Sequence, residues 1–182
     1  EMRLQWWRDV LSEIIEDRAV RRHEVATPLG EILDAQGAKL LDALIEKRRW
    51  DIYHDPFEDD AHFKAYIAAT SGNLMWVAAR ALGAVDDAPH EQIRDVGYAL
   101  GLANWFCAIP ELQKSGRIPL VDGRPEAVQR LAQDALNDLQ SARRIQMPRT
   151  VRPALLAAWQ AGRILHKAAN NPGLVAAGAL AQ

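Results

Sequence analysis

The sequence predicts an all-α fold, and three observations carry the prediction. Apolar residues recur at intervals of three and four through most of the chain, the repeat that lines one face of an α-helix. No stretch alternates convincingly between apolar and polar residues, as a half-buried strand requires, so no sheet is needed. Glycine, proline and aspartate fall where such helices have to start or stop.

Residues 2–16 set Leu4, Trp7, Leu11, Ile14 and Ile15 on one apolar stripe, which predicts a helix packed against a neighbour. Pro28 followed by LGEILDAQ reads as a second helix entered through its first turn, and residues 38–47 as a third, with Gly37 separating the two. The segment RRWDIYHDPFEDD is aromatic and irregular. Beyond it, Asp59 or Asp60 is placed to cap a long helix that runs to about Leu82 and stops at Gly83. A loop over 86–89 leads to a helix over 90–107, which ends before Pro110 because proline disfavours helical conformation in the residue ahead of it. Residues 125–145 and 150–169 complete the set, parted by Met147, Pro148 and Arg149 and closed by Asn170, Asn171 and Pro172.

With 182 residues, 49% hydrophobic and 25% charged, the chain has the balance of a single globular domain over 1–182. Its formal net charge of -2 is spread without a sustained basic block, so the cation density that a phosphate backbone demands is missing and no nucleic-acid partner is expected. Cys107 is the only cysteine, no Cys/His cluster has zinc spacing, and both facts fit a reducing compartment. No apolar run reaches the roughly 18 residues that a membrane-spanning helix needs. The opening EMRLQWWRDV carries both charge signs, as an amphipathic helix does and a signal peptide does not. A soluble, cytoplasmic protein is expected, with peripheral contact to the inner membrane as a variant. Glu1 has no methionine or capping residue ahead of a pattern that is already mid-helix, which predicts further sequence upstream.

The most informative stretch is residues 97–120, GYALGLANWFCAIPELQKSGRIPL. Gly97, Ala99, Leu100, Leu102 and Asn104 lead in order to Glu111 and then to the Gly116, Arg117, Ile118 and Leu120 turn. Upstream stand Asp51-Ile52, Tyr66 with Ser71-Gly72, and, nearer the start, Trp7-Arg8 and His23. Over roughly residues 5–125 these resemble the squalene/phytoene synthase family: its second substrate-binding motif, its Tyr-x-x-x-x-Ala-Gly helix and the Asp-Leu before it, and its Trp-Arg and His-Pro pairs. Residues 4–10 look most like an alpha-proteobacterial branch that also resembles the mitochondrial complex I assembly factor of this family. The resemblance implies an isoprenoid-synthase-like helical bundle whose first helices and first aspartate-rich motif lie before Glu1. It also implies a prenyl diphosphate or other isoprenoid lipid as ligand.

An enzyme of this kind uses two aspartates four apart on one helix face to hold Mg²⁺ against the diphosphate leaving group. The positions aligned with them here are Ala108 and Leu112, and the arginine expected before the first is Cys107. Glu111 remains as the candidate metal ligand, although one carboxylate holds a hydrated Mg²⁺ only weakly, and Pro110 distorts the helix that must present it. Two function classes follow from the resemblance. One is a Mg²⁺-dependent prenyltransferase condensing prenyl diphosphates head to head. The other is a non-catalytic protein that binds an isoprenoid or lipid, or serves respiratory complex assembly with a protein partner; the loss of both aspartates favours it.

The candidate substrate-binding residues are Tyr66, Ser71, Gly72, Met75, Gly97, Gly101 and Asn104. The small ones, with Leu100 and Ala103 nearby, either hold open a tunnel for a prenyl chain or let helices pack closely. Asn104 either offers a polar contact at the tunnel mouth or bonds to backbone. Two further acid pairs, Glu91 with Asp95 and Asp134 with Asp138, are each four apart but lie away from the aligned positions, and read as solvated faces. His23, His54, His62, His90 and His166 show no ligand-like pairing. Arg48, Arg49 and Trp50, with Arg21 and Arg22, are candidates for contact with diphosphate or acidic lipid, or are simply solvated. Leu155, Leu156, Trp159, Ile164 and Leu165 are expected in the core rather than on a partner surface.

Overall fold

In the computed structural model, which describes residues 1–53, 55–84 and 88–180, the apolar stripe of the first helix meets the third. Helix α1 (Met2–Ile15) buries Val10, Leu11 and Ile14 against α3 (Ala35–Lys47), with Ala26 of α2 (Ala26–Ile32) closing a small core of its own. Arg8 ties the two long helices together, donating to Asp42 at 2.7 Å and Glu46 at 2.5 Å. Helix α2 already begins ahead of Pro28. Gly37 does not separate two helices but lies in the first turn of α3, where its N–H donates to the capping Asp34 carboxylate at 2.7 Å.

The aromatic segment expected to be irregular contains one helical turn, α4 (Trp50–Tyr53). Asp59, rather than Asp60, caps the next helix, accepting the His62 N–H at 2.6 Å. The long helix then runs in three parts: α5 (Asp60–Ile67), a π-turn over Ala68–Gly72, and α6 (Asn73–Ala81). It ends at Gly83, whose φ of +97° suits glycine and lets the Ala84 N–H reach the Ala79 carbonyl. Of the expected loop over 86–89, residues 86 and 87 lie outside the described residues.

Helix α7 (His90–Lys114) is the axis of the bundle, packed against the π-turn, α6, α8 (Pro125–Arg144) and α10 (Ala161–Asn170). It does not stop before Pro110. A proline so near the end costs little of the remaining hydrogen-bond ladder, while Phe106, Ile109 and the partly buried Leu112 hold that turn on the main core. The helix ends where Gly116 takes a φ of +79° and the Arg117 N–H folds back onto the Leu112 carbonyl at 3.0 Å.

The expected helix over 150–169 is also divided. A short α9 (Arg152–Leu155) passes into a 3₁₀ turn at Leu156–Ala158 before α10 begins, and α11 (Gly173–Ala176) follows. The tighter turn shifts the register. Ala158, Ala161, Ile164 and Leu165 are buried, whereas Leu156 and Trp159 are 69% and 72% exposed, against the expectation of core positions. Among the described residues there is no strand, as the all-α prediction requires, and no helix long and apolar enough to cross a membrane.

Candidate functional site

The candidate residues on α6, the π-turn and α7 come together, but in contact rather than around a space. The Ser71 hydroxyl donates to the Gly97 carbonyl at 2.7 Å, and the Thr70 hydroxyl to the Tyr66 carbonyl at 2.7 Å, which holds the π-turn in shape. A Cβ on Gly97 would lie 2.6 Å from the Met75 Cβ and 2.8 Å from the Ser71 carbonyl oxygen. On Gly101 it would lie 2.5 Å from the Ser71 Cβ, and on Gly72 3.2 Å from the Arg94 carbonyl oxygen. Of the two readings of Ser71, Gly72, Met75, Gly97 and Gly101, this geometry supports close helix packing, since the chain itself fills the volume a tunnel there would need.

Tyr66 belongs to a second junction. Its ring is buried among Trp50, Phe57 and Trp105, and its hydroxyl donates to the Asp51 carboxylate at 3.1 Å while accepting from Arg48 at 3.2 Å. Burial pushes the phenol well above its ordinary range, Arg48 opposes that and Asp51 adds to it, so this hydroxyl is a donor and not a base. Arg117, from the turn after α7, donates to the backbone carbonyls of Trp50 and Asp51 and covers the Trp50 ring. The Trp105 indole N–H bonds the Pro119 carbonyl at 2.9 Å and fixes the same turn. Three separate stretches of the signature therefore lock one another in place.

Other residues of the aligned stretch differ in burial: Ala99, Leu102 and Leu120 lie in the core, while part of α7 faces outward. Asn104, Ala108 and Glu111 follow one another at intervals of four and three and form an exposed stripe on α7. Glu111 is paired with Lys114 at 3.3 Å, and no second carboxylate stands beside it on the stripe. Leu112 packs on the main core, and burial raises the half-buried Cys107 thiol. This donor set does not fit the Mg²⁺ that the resemblance implies: one exposed, already paired carboxylate offers neither the charge nor the bridging oxygens. Among the described residues no group of three or more His, Cys, Asp or Glu side chains is arranged to hold a metal ion.

The two acid pairs set aside in the sequence share one groove. Glu91 and Asp95 on α7 line about 390 Å³ together with Asp134 and Asp138 on α8, with Lys64, Arg94, Tyr98 and Gly72 completing the walls. Burial first, then Asp138 and Glu91, push the Asp95 carboxyl upward, with Arg94 acting against them. Burial and Asp138, Asp134 and Asp60 push the Tyr98 phenol up to about 12. Lys64 stands 3.9 Å from Asp134. Each pair shows in the sequence as an i, i+4 spacing; their facing positions follow only from how α7 and α8 pack.

A second groove, of about 400 Å³, lies under the signature turn and is lined mainly by apolar residues, among them Ile109, Ile118, Leu120, Val121, Val128 and Val175, with Gln113 and Arg117 as polar members.

Three of the basic candidates near the start are committed to the chain's own carboxylates, while Arg22 is exposed. Arg21 holds Glu13 at 2.6 Å, Arg48 holds Asp51 at 3.1 Å and Arg49 lies 3.7 Å from Glu46. His23 is packed beside Trp6 and Trp7 while its Nδ1 accepts the Val25 N–H, and His62 Nδ1 accepts the Glu58 N–H. His90 lies against the Trp76 ring and His166 against the Asn170 amide. His54 is outside the described residues.

A family model described as squalene/phytoene synthase matches residues 1–121, the part that holds every signature residue above. No curated protein and no solved structure matches the chain.

Proposed function

The chain belongs to the squalene/phytoene synthase family, and from that premise we infer that it is a non-catalytic member, a binding or assembly protein built on the family's all-α fold. One observation carries the reading. Where catalysis would need two carboxylates four apart on one open helix face, α7 presents the exposed Ala108 methyl and sends Leu112 into the core. The neighbouring Glu111, exposed and 3.3 Å from Lys114, is a single carboxylate, too few to hold the Mg²⁺ that would stabilise a departing diphosphate. The half-buried arginine and the buried tyrosine of the signature, Arg117 and Tyr66, are engaged with backbone and side chains of the chain itself, which supports a scaffold that kept the family's shape and gave up its chemistry.

For the ligand, the apolar groove under the signature turn supports an isoprenoid or similar lipid held by its hydrocarbon part, without metal. The resemblance of residues 4–10 to the branch that includes a respiratory-complex assembly factor supports a protein partner.

The test is a calorimetric titration of the full chain with a non-ionisable farnesyl diphosphate analogue, with and without Mg²⁺, beside farnesol, which lacks the diphosphate. The expected outcome is binding of farnesol alone, or of neither ligand, in either case indifferent to Mg²⁺. Binding that requires both Mg²⁺ and the diphosphate would overturn the reading and restore the prenyltransferase.

A further inference from the structure

The charge of this chain is not spread evenly. All 24 acidic residues lie before Leu139, while the stretch from there to the end holds Arg143, Arg144, Arg149, Arg152, Arg163 and Lys167 and no acid at all. The five arginines are exposed. The same segment carries the two most exposed large apolar side chains after Met2, Leu156 at 69% and Trp159 at 72%. They are three apart across the 3₁₀ turn Leu156–Ala158, and side chains three apart on such a turn eclipse one another, so both point the same way. Behind them lies an apolar groove of about 450 Å³ formed with Val96, Ile145, Met147 and Leu155, whose charged lining is Arg143 and Arg152.

We propose that this face, with Leu156 and Trp159 as its apolar tip and Arg143 and Arg152 lining the groove behind them, docks the protein on an anionic lipid bilayer. The charge selects the occupant. A cationic rim without a single carboxylate is attracted to the negative surface of such a membrane. A leucine and an indole in water gain by entering the headgroup boundary, where the indole has both an apolar body and a polar N–H to satisfy. Arginine stems lie along that boundary while their guanidinium groups stay with the phosphates. A nucleic acid would use the arginines but gives no reason for an exposed leucine beside the tryptophan. A second copy of the chain would cover the apolar tip but would set two cationic rims against each other. No helix of the described residues is long and apolar enough to cross a membrane, and the contact proposed here is with the bilayer surface. The inference is independent of whether the chain binds an isoprenoid, since it uses no residue of the signature.

The experiment is flotation of the full chain with vesicles of phosphatidylcholine alone and with vesicles in which phosphatidylglycerol replaces part of it. Binding to the anionic vesicles should be about tenfold or more stronger, and should fall when salt rises from about 0.1 M to about 1 M, which shortens the screening length from about 10 Å to about 3 Å. Trp159→Ala and Leu156→Ala should each weaken it about fivefold to tenfold, and Arg143→Gln with Arg152→Gln should remove most of the preference for anionic lipid. These side chains are exposed, so helicity and melting temperature should stay at the parent value and keep the comparison clean. As a second readout, the emission of the parent should shift to the blue on anionic vesicles and that of Trp159→Phe should not. Equal or absent binding to both vesicle types, or a Trp159→Ala variant that binds like the parent, overturns the proposal. So does a parent that sediments as a dimer while Trp159→Ala is a monomer, which gives the face to a second copy. Retention on RNA that depends on the arginines and ignores Trp159 gives it to nucleic acid.

Discussion

The Arg117 guanidinium lies 4.7 Å from the centre of the Trp50 ring and donates to the Trp50 carbonyl at 3.0 Å. One side chain thus joins the turn after α7 to the turn before the aromatic junction, through a cation–π contact and through hydrogen bonds to two successive carbonyls. Lysine cannot reproduce that geometry, because a single ammonium does not span two carbonyls while covering a ring. Arg117→Lys should therefore destabilise the protein by about 1–3 kcal/mol, nearly as much as Arg117→Ala. Urea unfolding measures it, and a lysine variant as stable as the parent would show that only the charge matters.

Gly97 and Gly101 make a second prediction, because the neighbours that a new methyl would strike differ. At Gly97 two of them are backbone atoms, the Ser71 oxygen and the Gly72 Cα, which cannot move aside; at Gly101 the nearest is the Ser71 Cβ. Both alanine variants should lose about 1–3 kcal/mol from overpacking, or roughly 2–4 °C of melting temperature per kcal/mol in a domain of this size. Adding Ser71→Gly should recover much of the loss in Gly101→Ala and none in Gly97→Ala. A double-mutant cycle reads the difference directly.

The parts of this fold legible in the sequence are those that periodicity governs. The α1 stripe, the end of α3, the course of α8, a cap at one of the two aspartates placed for it and the stop at Gly83 all appear where spacing and end chemistry put them. What was not legible depends on contacts between distant residues. Pro110 reads as a terminator until Ile109 and Leu112 are seen gripping the core on either side of it. Leu156 and Trp159 fit the helical repeat of the last segment, and only the 3₁₀ turn takes them out of the core. The signature residues were identifiable one by one, but whether their small side chains left room or removed it is a matter of ångströms between helices. The absence of any acid after Asp138 is legible in the sequence, whereas the exposed apolar pair beside those arginines is not.

Acid should loosen the two ends of the molecule unequally. Glu13 accepts the Arg21 guanidinium at 2.6 Å and the Arg21 backbone N–H at 3.0 Å, and these bonds hold its carboxyl below the ordinary carboxylate range. A pKa lowered in the folded state contributes stability that is present above the unfolded value and lost as pH falls through the folded one. Asp95 is shifted the other way, mainly by burial, so its contribution is present at low pH and lost as pH rises through its folded value. On acidification, amides of α1 and α3 should therefore lose exchange protection before those of α7 and α8. Glu13→Gln should flatten the pH dependence of the first pair and leave the second unchanged. Loss of protection in step across all four helices would contradict the assignment.

The two positions from which the family's aspartates are missing should respond differently to having them put back. Ala108 is exposed on α7, so Ala108→Asp changes a solvated surface and should cost about 0.7 kcal/mol, the difference in helix propensity. Leu112 packs on the main core in the last turn of the same helix, where a carboxylate would be partly stripped of water and would meet the negative end of the helix dipole. Leu112→Asp should cost about 2–4 kcal/mol, the lost apolar burial included. Thermal unfolding of the single variants tests this asymmetry. If both substitutions were equally mild, the second position would still be a surface waiting for its carboxylate, and α7 would have lost only the charges. The predicted inequality means that it has also lost the place for one of them, since Leu112 now holds the helix on its core past Pro110, and restoring the motif would have to break the packing that replaced it.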